Sequence, residues 1–183
     1  FVADGVNDRI LRFAPDGSFL DSIKLPGEHK LSGPVGLGAG AAGWLWIADT
    51  GKGRVLGLSP DRSTVRTIPV PADSDNHPAN LTDVAETPDG KSLWIVANNH
   101  HRLIRVDLES GVQSSLGRQG ESLGQLNHPF MIALGREGAV LVTDMLNGRV
   151  ASFTATAAPA TAIGSYGVDM GQLYRPKGIA CDP

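Results

Sequence analysis

Cysteine is nearly absent from this chain of 183 residues. Cys181 stands alone, so no intramolecular disulfide can form, and thiol chemistry does not reveal the compartment. Apolar runs long enough to cross a bilayer as a helix, about 18 residues, are also missing. Positive charge is not in excess. Sixteen Lys and Arg face 19 Asp and Glu, giving a net charge of −3. That balance argues against a nucleic-acid-binding face, which needs a basic surface to displace counterions from phosphates. The apolar pattern shows no period of 3.6 over 11 residues, so helices of ordinary length are not expected. No glycine loop has Walker or Rossmann spacing, and no Gly-x-Ser-x-Gly elbow is present. The chain opens in mid-strand at Phe1 without an initiator methionine, which suggests a processed or trimmed chain or a fragment.

Glycine, at 23 residues, and proline, at 12, are plentiful, as many short strands joined by turns require. They punctuate a phrase that returns four times: FVADGVNDRILRF from Phe1, WIADTGKGRVLGL from Trp46, WIVANNHHRLIRV from Trp94 and LVTDMLNGRVASF from Leu141. Each phrase is an alternating apolar run, an acidic or amide residue, a small polar turn, and an arginine opening a second apolar run. The anchors Asp4, Asp49, Asn98 and Asp144 are 45, 49 and 46 residues apart. A unit of that length cannot bury its own apolar face and must stack on copies of itself. Four short strands per unit predict an all-β fold, a β-propeller of four-stranded antiparallel blades. The expected blades are 1–33, 34–80, 81–129 and 130–176, one array, with 177–183 the first strand of a next or closing blade. About four blades in the chain suggest an arc of a larger propeller, or a ring in which the last strand closes onto the first. The open edges of an arc would invite self-association or a partner chain.

The pattern "Pro-x-Gly-Ile-Ala, turn, apolar-Ala-Asp, turn, Arg-apolar" resembles the NHL repeat of six-bladed β-propellers. KGIACDP at 177–183 looks like that repeat's first strand, and IADTGKGRVLGL like its second and third. ESLGQLNHP and DMGQLYRP look like its linkers. The third unit departs from the pattern: Asn98 replaces the acid and lies four residues before Arg102, not five, so a different turn is expected there. The family includes a zinc-dependent amidating lyase acting on peptidyl-hydroxyglycine, and FVADGVNDRILRFAPDGSF looks like a stretch of it. Its ligands are histidines directly after the blade-opening proline. The corresponding positions here are Val35, Thr82, Phe130 and Lys177, so its metal set does not carry over. The compartment stays open, with the analogy leaning toward an extracytoplasmic one.

Three groups of residues are candidates for function. The repeated pairs Asp4–Arg9, Asp49–Arg54 and Asp144–Arg149 recur in every regular unit, which favours a structural role over an anion-binding ring. The histidines come next. His29, His77 and His128 fall in linkers, and His100 and His101 in a turn between second and third strands. Propeller topology places both loop classes on one face, with Asp73, Asp75, Arg118, Tyr174 and Arg175. His77 and His128 are the metal candidates, weighed against an ordinary polar surface. Asp73-Ser74-Asp75-Asn76-His77 lacks the glycine and closing glutamate of an EF-hand and reads as a solvated loop. Finally, Val35, Thr82, Asp83, Phe130, Met131 and Lys177 are expected to ring the channel on the loop-rich face and contact a ligand. Trp44, Trp46 and Trp94 are expected in the packing between blades, and Cys181 in an inner strand.

These readings predict a non-enzymatic module binding a protein, peptide or glycan, without a cofactor. The alternative is a metal-dependent propeller enzyme, amidating-lyase-like or lactonase-like, using zinc or calcium. An RNA-binding propeller is opposed by the acidic balance.

Overall fold

The computed structural model describes residues 1–182. Among them strands alternate with turns and short 3-10 segments, and no α-helix forms. The first sheet has three antiparallel strands, β1 (Val2–Asp4), β2 (Arg9–Phe13) and β3 (Phe19–Ile23). The second holds β4 (Pro34–Ala39), β5 (Leu45–Asp49), β6 (Arg54–Leu58) and β7 (Val65–Pro69). The third holds β8 (Leu81–Glu86), β9 (Ser92–Ala97), β10 (Arg102–Asp107) and β11 (Gln113–Leu116). The fourth holds β12 (Pro129–Leu134), β13 (Val140–Asp144), β14 (Arg149–Phe153) and β15 (Pro159–Ile163). A short parallel pair, β16 (Ser165–Tyr166) and β17 (Gln172–Leu173), follows. In each four-stranded sheet the strands pair in chain order, and each first strand carries a register shift near its start. The β-propeller fold expected from the repeats is the one observed.

Strand alternation builds the core. Successive side chains of β5 point to opposite faces, so Leu45 and Ile47 enter a cluster with Ile10, Ile23 and Leu31, while Trp46 and Ala48 enter one with Leu81, Val84 and Ile95. β9 divides the same way. Leu93 and Ile95 join the cluster shared with the second sheet, and Trp94 and Val96 join Ile132, Val142 and Phe153 of the fourth. Each gap between consecutive sheets is therefore one apolar core fed from both sides. Each large side chain buried there contributes roughly 1.5–3 kcal/mol. Trp44 differs from the other two tryptophans. It is half-buried, stacks on Trp46 at 6.0 Å and lies under Arg66.

The first strands converge on the axis, and glycine permits their close approach. A Cβ on Gly36 of β4 would stand 2.5 Å from the Asp83 Cα of β8, and one on Gly38 would stand 2.5 Å from the Val84 carbonyl oxygen. Residues 177–182, expected as a first strand, have no strand structure. They lie along the fourth sheet: the Lys177 carbonyl accepts from Thr143 Oγ1 at 3.2 Å, and Cys181 Sγ, half-buried, lies near Gly135. β1 pairs only with β2 among the described strands, so 177–182 do not close onto it.

Candidate functional site

The turns between second and third strands hold the linkers in place. In the second sheet Asp49 is fully buried. One carboxylate oxygen accepts Arg54 Nε at 2.8 Å and the other accepts the Ser32 amide at 2.6 Å. The Arg54 guanidinium then donates to the carbonyls of Glu28 and Lys30. The fourth sheet repeats this unit: Asp144 accepts Arg149 Nε at 2.8 Å and the Asn127 amide at 2.6 Å, and Arg149 donates to the carbonyls of Glu121, Ser122 and Gln125. In the first sheet Arg9 donates to Asp4 at 2.6 Å. The residue before each arginine, Asp8, Gly53 or Gly148, is left-handed, and its amide closes the turn. Arg54 and Arg149 thus bond linker carbonyls as well as their aspartates, whereas Arg9 bonds Asp4 alone.

The third turn breaks this symmetry, though not by changing length. Arg102 pairs in register with Ala97, as Arg54 does with Asp49. The residue standing in the acid's place is therefore Ala97, and Asn98 belongs one position later, which corrects the sequence alignment. Asn98 matches Thr50. Thr50 Oγ1 donates to the Leu81 carbonyl at 2.5 Å, and Asn98 Nδ2 donates to the Pro129 carbonyl at 2.8 Å, each tying a turn to the next sheet's first strand. Asn99 Oδ1 accepts the Asn80 amide at 2.6 Å, a linker contact of the kind Asp49 makes. Arg102 Nε, without its carboxylate, is buried and unpartnered.

Four of the five histidines collect at this irregular turn. His101 takes the left-handed position (φ 53°) and packs edge-on against His128, ring centroids 4.6 Å apart. The His128 amide donates to His101 Nδ1 at 3.1 Å, and His128 Nδ1 lies 3.0 Å from Asn98 Oδ1. Burial, and then the neighbouring His128, push the His101 imidazole below its ordinary pKa. The His100 side chain is 1% exposed. Its Nε2 lies 3.2 Å from the His77 carbonyl and 3.7 Å from Asp73, while its Nδ1 is buried without a partner. His77 itself is exposed, 3.4 Å from Asp73. His29 belongs to the preceding linker, beside Glu28. His77 and His128 thus engage different partners. Among the described residues no three His, Cys, Asp or Glu side chains are grouped to hold a metal ion.

The channel positions divide by depth. Val35 and Lys177 are exposed, and Phe130 and Met131 half-buried, with the Lys177 ammonium 5.2 Å from the Phe130 ring centre. Thr82 and Asp83, expected to face a ligand, are instead buried. Asp83 Oδ2 accepts the Ile132 amide at 3.0 Å and so joins two inner strands. Burial raises its carboxyl to about 6 despite that bond. Thr82 Oγ1 is buried and unpartnered. Arg175 stacks on Tyr174, which packs against Tyr166. The roles of Ala97, Asn99 and Arg102 were missed in the sequence; the uneven anchor spacing and the Asn-Asn-His-His run were their only trace.

No protein-family model matches the chain, and no curated protein is significantly similar to it. Solved structures do resemble it. A virginiamycin B lyase from Staphylococcus aureus superposes with a TM-score of 0.72 at 16% identity, covering 98% of this chain and 55% of that one. An auxiliary nutrient binding protein from Bacteroides thetaiotaomicron gives 0.65 at 16% identity over 82% of this chain and 43% of that one. Hydrazine synthase from Kuenenia stuttgartiensis gives 0.64 at 12% identity, over 87% and 44%. The chain spans about half the length of these structures. At these identities the likeness establishes a β-propeller fold.

Proposed function

We propose that this chain is an NHL-type repeat propeller that binds a peptide, protein or glycan through its loop-rich face. The observation that carries this reading is where the repetition fails. An Asp–Arg pair recurs in the other three sheets, whereas the third turn gives up its acid and gathers His77, His100, His101 and His128. That group connects to the channel mouth through Asn98, which bonds Pro129, the residue before Phe130. Phe130 and Lys177 then offer an aromatic ring and an ammonium side by side. An aromatic platform with a cation beside it suits a peptide or glycan with an anionic or π-rich group. The exposed outer strand β15 supports a partner chain at a sheet edge as well.

Screening the purified chain on peptide and glycan arrays tests this, with affinities followed in Phe130→Ala and Lys177→Ala. Each substitution is expected to weaken binding about tenfold while the β-sheet circular dichroism stays unchanged. Arrays without a binder, or affinities indifferent to both changes, would discard the reading.

A second reading, a propeller enzyme, draws on one observation. A carboxyl raised to about 6, as Asp83 is, can both give and take a proton near neutrality. Turnover of peptidyl-hydroxyglycine or lactone substrates with added zinc or calcium, abolished by Asp83→Asn, would favour it over simple binding.

A further inference from the structure

At the other ends of the sheets, away from the histidines, the gap between the second and third sheets and the gap between the third and fourth are each built on a tryptophan, but they differ in what meets its indole. Between the second and third sheets, Glu86 at the end of β8 turns its carboxylate back on the second sheet. It accepts the Trp46 indole N–H and, at 3.0 Å, the Ala41 amide. Register identifies the counterparts one sheet along. Trp94 faces Ala85 as Trp46 faces Gly38, and Leu134 closes β12 opposite Val140 as Glu86 closes β8 opposite Leu93. Between the third and fourth sheets the indole therefore meets an alkyl chain, and Trp94 Nε1 has no acceptor among the described residues.

A cavity of about 280 Å³ opens there, lined by Trp94, Arg105, Pro88, Leu134, Ala155 and Asp89 among others. Arg105 Nε and Nη2 both donate to Ser92 Oγ, which leaves Nη1 free, and the guanidinium carbon lies 5.8 Å from the Trp94 ring centre. Asp89 is the one acid lining it. Its Oδ1 accepts from Thr87 Oγ1 and the Lys91 amide, so it serves its own turn.

We propose that this cavity is a binding site for a small carboxylic acid with a compact apolar body, whose carboxylate takes the place that Glu86 fills in the neighbouring gap. An indole N–H and a guanidinium are the donors such an anion requires, and charge-assisted bonds are the stronger kind. Pro88, Leu134 and Ala155 offer the apolar wall. The match is internal to the molecule in its indole: one sheet away the same ring position already binds a carboxylate, with the Ala41 amide as second donor, where here Pro88 has no N–H and Arg105, in the place of Gly57, supplies the second donor.

Phenylacetate is the probe, with phenylacetamide as its neutral twin. Calorimetry and tryptophan fluorescence should show saturable phenylacetate binding, with the amide about tenfold weaker, a difference of about 1.4 kcal/mol. Leu134→Glu supplies the missing carboxylate from within and should remove phenylacetate binding without loss of fold. Should that variant fail to fold, Trp94→Phe and Arg105→Met decide, each expected to weaken phenylacetate but not phenylacetamide. Equal affinity for acid and amide, no saturable binding, or binding that survives these changes would overturn the proposal. Phe130→Ala and Lys177→Ala should leave phenylacetate binding intact, which separates this site from the loop-rich face.

Discussion

Arg102 faces Ala97 across the β9–β10 turn, and its buried Nε donates to nothing. The other three arginines at this register each meet a carboxylate. The third turn therefore carries an arginine without the acid that elsewhere offsets its burial.

Ala97→Asp should restore the clamp. The carboxylate would meet Arg102 Nε as Asp49 meets Arg54, and a charge-assisted hydrogen bond is worth about 1.5–3 kcal/mol before desolvation of the new acid is counted. A rise in denaturant midpoint with an unchanged m-value is the expected result. The reverse experiment is Asp144→Ala, which strands Arg149 Nε and the Asn127 amide. Breaking a buried pair from one side should cost about 3–5 kcal/mol, read as a matching fall in midpoint.

Asp83 makes the stability depend on pH. Its folded carboxyl titrates at about 6, above the ordinary 3.8. The folded chain holds that proton more tightly than the unfolded chain. The contribution is thus fully present below about pH 4, falls as pH rises through 6, and reaches a loss of about 3 kcal/mol above it. Asp83→Asn keeps an oxygen for the Ile132 amide and carries no charge. Unfolding curves at pH 4 and pH 7.5 should show a clear gain for the variant only at the higher pH.

His101 acts in the opposite sense. Its folded pKa lies below 6.5, so the folded chain resists protonation, and stability is lost as pH falls through that window. An NMR titration of the ring protons should place its midpoint below that of an unfolded histidine. The His128→Gln variant, which removes one repelling neighbour, should move that midpoint up.

Gly36→Ala places a methyl group 2.5 Å from the Asp83 Cα, where only backbone can yield. Overpacking of this kind typically costs about 1–3 kcal/mol. Thermal melts should show the loss, and the shift of β8 should alter the Ile132 amide resonance, since that amide bonds Asp83.

Strand positions were legible because period-two alternation is a local property. LWIAD reads as a strand buried on both faces, and β5 is buried on both. The histidines could be seen to share a face through topology, but not their partners. The Asn98 Nδ2 bond to Pro129 joins residues 31 apart. Asn98 was misread as the acid's replacement because its side chain has the nearer chemistry, and only register shows that Ala97 opposes Arg102.

The repeated phrase, by itself, determined that the chain forms short antiparallel strands in stacked units, because an apolar face without its own cover must find another like it. Burial of Asp83 and Thr82, the orphaned Arg102 and the cavity beside Trp94 were decided only in three dimensions. Each depends on which side chain of the neighbouring sheet arrives opposite, a relation between residues tens of positions apart.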